Sequence, residues 1–220
     1  LRRLNELTVN AGEFDETIGR LLSLGCETFG LDTGILSRVD GGDYEVDVVV
    51  DETESHEPGT VYDLTDTMCD ATLAGDVTGT LAFADVAASD HQDNPAAGSV
   101  SAYIAAPVVA NGDTYGTVNF SMGKPRSAAF RPEEREFIKL IAQHIGTEIE
   151  RRRRFAELER YETILEAVDD PVYALDTDGR FTFVNTAAER EFGYDEDVIG
   201  KNPAVGMDDS DVERMEAQIE

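Results

Sequence analysis

The sequence predicts an α+β protein: an antiparallel sheet with flanking helices, a long connecting helix, and then the opening strands of a second α/β sheet. Three observations carry this. Tyr44, Val46, Val48 and Val50 alternate with Glu45 and Asp47, the period of a strand with one buried face. Asn111-Gly112 separates the strand-like "SAYIAAPVVA" and "DTYGTVNFSM", and that dipeptide suits the positive φ angles of a tight hairpin turn. From Pro132 to Val168 only Gly146 interrupts a run of helix-compatible residues. At about 1.5 Å per residue a continuous helix there would be on the order of 55 Å long.

The elements follow in order. Phe14, Ile18, Leu21, Leu22 and Phe29 recur at helical spacing, and Gly30 stands where a glycine closes a helix. "TGILSRV" and "YEVDVVV" are strands around the turn "DGGD". "TDTMCDATLAG" is a short helix, "LAFADV" a short strand, and "ASDHQDNPAAGS" a polar loop. The Asn111-Gly112 hairpin comes next, and then a helix opens with Pro132 in its first turn and Glu133 and Glu134 at its positive end. After residue 160, "PVYALD" and "RFTFVN" pair around Asp178-Gly179. "TAAEREF" then begins a helix with Thr186 and Glu189 at capping-box spacing.

Composition narrows the setting. The chain has 220 residues, 46 acidic and 18 basic, for a formal charge of -28. Only Lys124, Lys139 and Lys201 are lysines. Abundant carboxylates with arginine kept and lysine nearly absent predict a salt-adapted cytoplasmic protein, in which screening quenches self-repulsion. Such a surface repels nucleic acid, so no nucleic-acid partner is expected of this fragment. No apolar run approaches the roughly 20 residues of a membrane span, so no membrane segment is expected in it either. The start at Leu1 is taken as that of an excerpt or a processed chain. Cys26 and Cys69 are too few for a disulfide framework or zinc site, and His56, His91 and His144 lack ligand spacing, so no metal site is expected.

Residues 1–150 resemble a GAF domain, a small-molecule sensor module, through "FDETIGRLLSLGCETFGLDTGILSRVDGGDYEV", "TMCDATLAG" and "AYIAAPVVANGDTYGTVNFSMGKPRSAAFRPEEREFIKLIAQHIGTEIE". Residues 160–220 resemble the N-terminal part of a PAS domain; Asn185, Gly193, Tyr194 and Gly200 match that family's pattern. With the charge pattern, the whole is similar to sensor histidine kinases of salt-loving archaea. The resemblance implies a sensory module that binds a small molecule through the GAF domain and relays the change along a coiled-coil helix, residues 132–168, to the PAS domain. The parent would be a cytoplasmic two-component histidine kinase. The alternative is the sensor region of a transcription regulator whose helix-turn-helix lies outside this chain.

The residues point to no catalysis. Some GAF relatives attach a bilin to a pocket cysteine beside a histidine; here Asp70 follows Cys69, and no histidine lies within ten residues of it. A GAF-type methionine sulfoxide reductase would need a resolving thiol near Cys69, and nothing in the sequence brings Cys26 there. Cys69 is therefore expected to be a packed, structural thiol. His144 lacks the acidic-Arg-Pro context of a kinase phospho-acceptor and is expected to be an ordinary helix residue. Residues 39–123 hold 16 acids and no Lys or Arg, which disfavours an anionic ligand such as a cyclic nucleotide. A neutral, apolar or cationic molecule fits better, and no cofactor is required. Tyr62, Cys69, Phe83, Asp85, Tyr103 and Tyr115 are the pocket candidates, each equally compatible with plain core or surface.

In the connecting helix Ile138, Ile141 and Ile145 step by three and four, as do Tyr161, Leu165 and Val168, the rhythm of a coiled-coil seam. The seam predicts a homodimer through this helix, with Phe155 and Leu158 on it. "RRRR", residues 151–154, fills the lapse. Four consecutive helical residues sweep about 300°, so these cannot all face one partner. Glu148–Arg152, Glu150–Arg154 and Arg153–Glu157 have ion-pair spacing, and the segment is expected to be a salt-bridged surface. The competing expectation is that Arg152 and Arg153 mark a weak point where the helix shifts.

Overall fold

The computed structural model describes residues 14–75, 79–192 and 198–202. They fall into two compact units, Leu1–Arg152 and Arg153–Glu220. Gly193 and Tyr194 of the PAS pattern lie outside the described residues.

The first unit contains α1 (Phe14–Phe29), β1 (Thr33–Asp40), β2 (Asp43–Asp51), β3 (Val61–Asp63), α2 (Met68–Leu73), β4 (Leu81–Phe83), β5 (Ala102–Ala110) and β6 (Asp113–Met122). The helix α3 (Pro132–Glu166) begins in it. The strands form one antiparallel sheet in the order β3-β2-β1-β6-β5-β4. Helix α1 ends as its sequence dictates: Gly30 takes φ +62°, and the Leu31 amide turns back to the Cys26 carbonyl at 3.1 Å. Gly41 and Gly42, both at positive φ, close the β1–β2 hairpin, and Asn111 and Gly112 close β5–β6. Strand β3 has no counterpart in the sequence reading, because three exposed residues on a sheet edge show neither alternation nor burial.

Strand β2 departs from simple alternation. Leu36 pairs with Val48 but Ser37 pairs with Val46, so Asp47 is an extra residue, a bulge. Tyr44 and Val46 consequently pack with Ile35 and Cys69 on one face of the sheet, while Val48 and Val50 join the core on the other. Placing all four on a single face is corrected by that one residue.

On one face α1 and α3 cover the sheet. Ile138, Ile141 and Ile145 are fully buried there with Leu36, Val118 and Phe120. They are core residues of their own chain and not part of an intermolecular seam: their 3-4 spacing matches the sheet they lie on. Burial of each contributes roughly 1.5–3 kcal/mol. Two glycines permit the close approach. A Cβ on Gly25 would lie 2.1 Å from the Phe120 ring, and one on Gly146 would lie 2.2 Å from the Val109 carbonyl oxygen. Helix α3 therefore continues through Gly146, which is a packing site and not a break. At its start, buried Glu134 accepts the Arg131 amide at 2.7 Å and pairs with Arg126 at 2.9 Å. Burial alone would raise this carboxyl; the hydrogen bonds from the Arg131 amide and the two arginines outweigh it and hold it below the ordinary range.

The arginine run is tied down locally, with partners that differ in part from those expected. Glu148 pairs with Arg151 at 2.8 Å rather than with Arg152. Arg152 reaches α1, lying 4.0 Å from Asp15 and stacked over the Phe14 ring at 4.6 Å. Glu150 accepts the amide of Asn111 in the hairpin turn at 2.7 Å.

The second unit holds the remainder of α3, then β7 (Tyr173–Leu175), β8 (Phe181–Val184) and α4 (Thr186–Phe192). β7 and β8 pair antiparallel around a turn in which the Asp176 carboxylate accepts the Asp178 and Arg180 amides and Gly179 takes φ +74°. Phe181, Val184 and Ala188 form its core. Asn185, fully buried, accepts the Val172 and Ala188 amides and donates to the carbonyls of Leu165, Val168 and Asp170. Asn185 thus caps α4, in place of the expected Thr186–Glu189 box. Thr186 instead donates through its amide and hydroxyl to Glu166.

Candidate functional site

The second face of the first unit's sheet carries a cavity of about 430 Å³. Its floor comes from the central strands. Thr117, Asn119 and Ser121 of β6 point to this side while Val118 and Phe120 point to the helices, so a central strand has one polar face, and that face is buried. The roof is α2 together with the loop that follows β4. Thr67 caps α2 by accepting the Cys69 amide at 3.2 Å. Asn94 ties the loop to α2 by donating to the Thr67 carbonyl at 3.1 Å, and it also caps the short turn Pro95–Gly98. The walls are aromatic: Tyr44, Tyr62 and Tyr103, with the Tyr44 and Tyr62 ring centroids 6.1 Å apart.

The buried polar groups beneath the cavity form one network. Cys69 Sγ receives the Thr117 hydroxyl at 3.0 Å and lies 3.4 Å from the Tyr103 hydroxyl, which is in turn 3.1 Å from Thr72 Oγ1. Asn119 Nδ2 donates to the Tyr44 hydroxyl at 3.2 Å. Ser37 Oγ lies 3.0 Å from Thr117 Oγ1. Burial pushes the phenols of Tyr44 and Tyr103 well above their ordinary range. Burial likewise raises the Cys69 thiol, against the hydrogen bond from Thr117. Cys26 is pushed up to about 12 by burial and by the carboxylates of Glu52, Asp32 and Asp51.

The two sulfurs serve different layers. Cys69 packs on the cavity side with Ile35, Tyr44 and Val46, whereas Cys26 packs against the helix-side core. Both should be protonated and slow. Alkylation by iodoacetamide at neutral pH is expected to be at least about tenfold slower in the folded chain than in urea, with both thiols reacting after unfolding. Rapid modification of Cys69 in the folded chain would show a nucleophilic thiolate instead.

Of the six candidates named from sequence, Tyr62, Cys69 and Tyr103 line the cavity. The structure places the other three elsewhere. Phe83 packs in the cluster of Met68, Val86 and Tyr103, its ring centroid 5.1 Å from that of His91. Asp85 caps the turn Val86–Ala88 by accepting the Ala87 amide. Tyr115 donates to Asp47 at the β2 bulge and packs against the helix-side core.

The sequence reading missed Tyr44, His56, Asp66, Asn119 and Ser121, which also line the cavity. His56 follows a loop organised by Asp51, a nearly buried carboxylate that accepts the Thr33 hydroxyl, the Thr53, Ser55 and His56 amides and His56 Nδ1. Burial opposes ionisation of Asp51, but these hydrogen bonds, led by Thr53 and His56, hold it far below the usual carboxylate range. The polar alternation of Thr117, Asn119 and Ser121 carried the signal for the floor. Nothing local marked His56, whose place depends on a loop fold. Among the described residues no group of His, Cys, Asp and Glu could hold a metal ion, and no helix is long and apolar enough to cross a membrane.

Comparison with known proteins fits this architecture. The family model for the GAF domain matches residues 11–150, and that for the PAS fold matches residues 159–220. No curated protein matches the chain. Among solved structures, the GAF domain of an Acinetobacter phosphoenolpyruvate-protein phosphotransferase is similar, with TM-score 0.58 and 9% identity over 71% of this chain and 94% of that one. The free methionine-R-sulfoxide reductase of Neisseria meningitidis gives TM-score 0.55 and 15% identity over 70% of this chain and 87% of its own. The phycocyanobilin-bound GAF domain of a cyanobacterial phytochrome gives TM-score 0.54 and 16% identity over 68% and 91%. At these identities the likeness is one of fold.

Proposed function

The chain belongs to the GAF domain family, with a PAS fold following, and from that premise we propose that its first unit senses a small neutral, apolar or cationic molecule in the cavity beneath α2. The observation that carries this is the cavity itself: about 430 Å³, walled by tyrosines and floored by the buried polar face of a central strand. Thr117 and Asn119 on that face are held by the protein's own network, to Ser37, Cys69 and Tyr44, which keeps a polar floor stable where it is buried.

The change is relayed along α3 in a homodimer. Phe155, Leu158, Tyr161 and Ile164 are 50–60% exposed, in contrast to the buried isoleucines earlier in the helix. The paired segment therefore starts beyond the arginine run, and Leu165, half-buried, stands on the same face as Leu158 and Tyr161. Arg152, held over Phe14, marks where the helix leaves its sheet. The acidic, lysine-poor composition supports a salt-adapted, cytoplasmic parent protein, and the GAF–PAS order resembles that of a two-component histidine kinase of the haloarchaeal type.

Native mass spectrometry of the whole chain tests both parts. A dimer is expected, and the pair Phe155→Glu and Leu158→Glu should weaken it at least about tenfold. A chain that stays monomeric at every concentration overturns the relay. A chain that neither retains nor takes up any small molecule overturns the sensing role.

A further inference from the structure

The cavity is lined by fixed acceptors and by the hydroxyls of Tyr62 and Ser121, which can donate or accept. Asn119 is buried, and its Nδ2 is spent on the Tyr44 hydroxyl and the Cys69 sulfur; among the described residues nothing donates to its Oδ1. His56 also lines the space, its Nδ1 held 2.9 Å from an Asp51 carboxylate oxygen. Asp66 brings a carboxylate to the lining and pairs with no cation among the described residues. No lysine or arginine lines the space. The lining thus holds a fixed amide oxygen and a carboxylate, from two different elements, beside tyrosine rings and without a fixed cation.

From this we infer that the cavity recognises a small protonated amine, whose N–H groups meet Asn119 Oδ1 and Asp66 while its positive charge lies against Tyr44 and Tyr62. This rests on the cavity being a ligand site and adds the chemical class of the ligand. Tyrosine faces attract cations electrostatically, and a carboxylate beside them reinforces that preference. An anion would meet Asp66 with no compensating charge. A neutral alcohol has one O–H and no positive charge, so it can donate to only one of the two acceptors and gains nothing from the carboxylate's charge.

Four probes of similar shape separate the possibilities by calorimetry on the whole chain at neutral pH: phenethylamine, 2-phenylethanol, 3-phenylpropanoate and trimethyl(phenethyl)ammonium. Phenethylamine is expected to bind at least about tenfold more tightly than 2-phenylethanol, and 3-phenylpropanoate not at all. The quaternary ion, with charge but no N–H, should fall between the amine and the alcohol. Asp66→Asn, a change at an exposed position, should lower amine affinity several-fold and leave 2-phenylethanol unchanged. Asn119→Leu should abolish the advantage of the amine over the quaternary ion, and Asp66→Asn should reduce that advantage should Asn119→Leu not fold. Preference for the alcohol or the carboxylate overturns the amine assignment while leaving the cavity a ligand site. A quaternary ion that binds as tightly as the amine overturns the N–H contacts. Failure of all four probes, in a chain that also carries no small molecule by mass, overturns the sensing role with it.

Discussion

Gly146→Ala is expected to destabilise the first unit by about 2 kcal/mol, although helix propensity alone favours alanine by roughly 1 kcal/mol. The added Cβ would stand 2.2 Å from the Val109 carbonyl oxygen and 3.3 Å from its carbon. Those are backbone atoms of a strand paired to β6, so no rotamer change relieves the contact. Either α3 lifts from the sheet, loosening Ile141, Ala142 and Ile145, or β5 deforms. Urea unfolding should show a lower midpoint with little change in slope. A higher midpoint would mean that the helix is free to move away from Val109 at no cost. An exposed control in the same helix, Thr147→Ala, should be close to neutral.

Asn185→Ala should remove most of the second unit's stability, by at least about 3 kcal/mol, and leave the first unit's transition in place. Its side chain accepts two amides and donates to three carbonyls, all within the unit that begins at Arg153. Each orphaned buried group costs on the order of 1–3 kcal/mol, and among the described residues of this unit only a small cluster, Phe181, Val184 and Ala188 with Tyr173, Leu175 and Val198 against it, offsets such a loss. Asn185→Asp is the informative companion. It keeps the acceptor for Val172 and Ala188 but turns a second oxygen towards the carbonyls of Leu165, Val168 and Asp170, so it should be nearly as damaging. Hydrogen exchange followed residue by residue separates the units: protection at Phe181–Val184 should collapse while protection at Val118–Phe120 persists. Equal loss in both would mean that the two units unfold as one.

Much of the fold was legible because its signals are local. Hairpin turns declare themselves through Gly41-Gly42, Asn111-Gly112 and Asp178-Gly179, and α1 through its apolar spacing and its closing glycine. What sequence could not settle was which partner a given pattern answers to. Ile138, Ile141 and Ile145 carry the same 3-4 rhythm whether they meet a second helix or their own sheet, and burial alone distinguishes the two. The arginines have acids at two helical spacings, and the choice between them fell to Asp15, Phe14 and Glu148. The candidate site was legible only in its aromatic and thiol members, Tyr62, Tyr103 and Cys69. Tyr44 was read only as one of the alternating residues of a half-buried strand. His56 and Asp66 were hidden because loops bring them in, and Asn119 and Ser121 because a polar residue in a strand ordinarily signals solvent.

The bulge at Asp47 makes the cavity a matter of chain parity. Since successive strand residues face opposite ways, one residue more or fewer exchanges the two faces of everything beyond it. With Asp47 present, a single strand lends its first half to the cavity wall and its second half to the core under the helices. Were the bulge ironed out, with Asp47 entering the ladder opposite Ser37 and the pairing at Val48–Asp51 retained, Tyr44 and Val46 would turn towards the helices and Glu45 would enter the binding face. The pocket's aromatic wall thus depends on the bulge in β2 as much as on residue identity, and a comparison of related chains that reads this strand as regular would assign the tyrosine to the wrong side of the molecule.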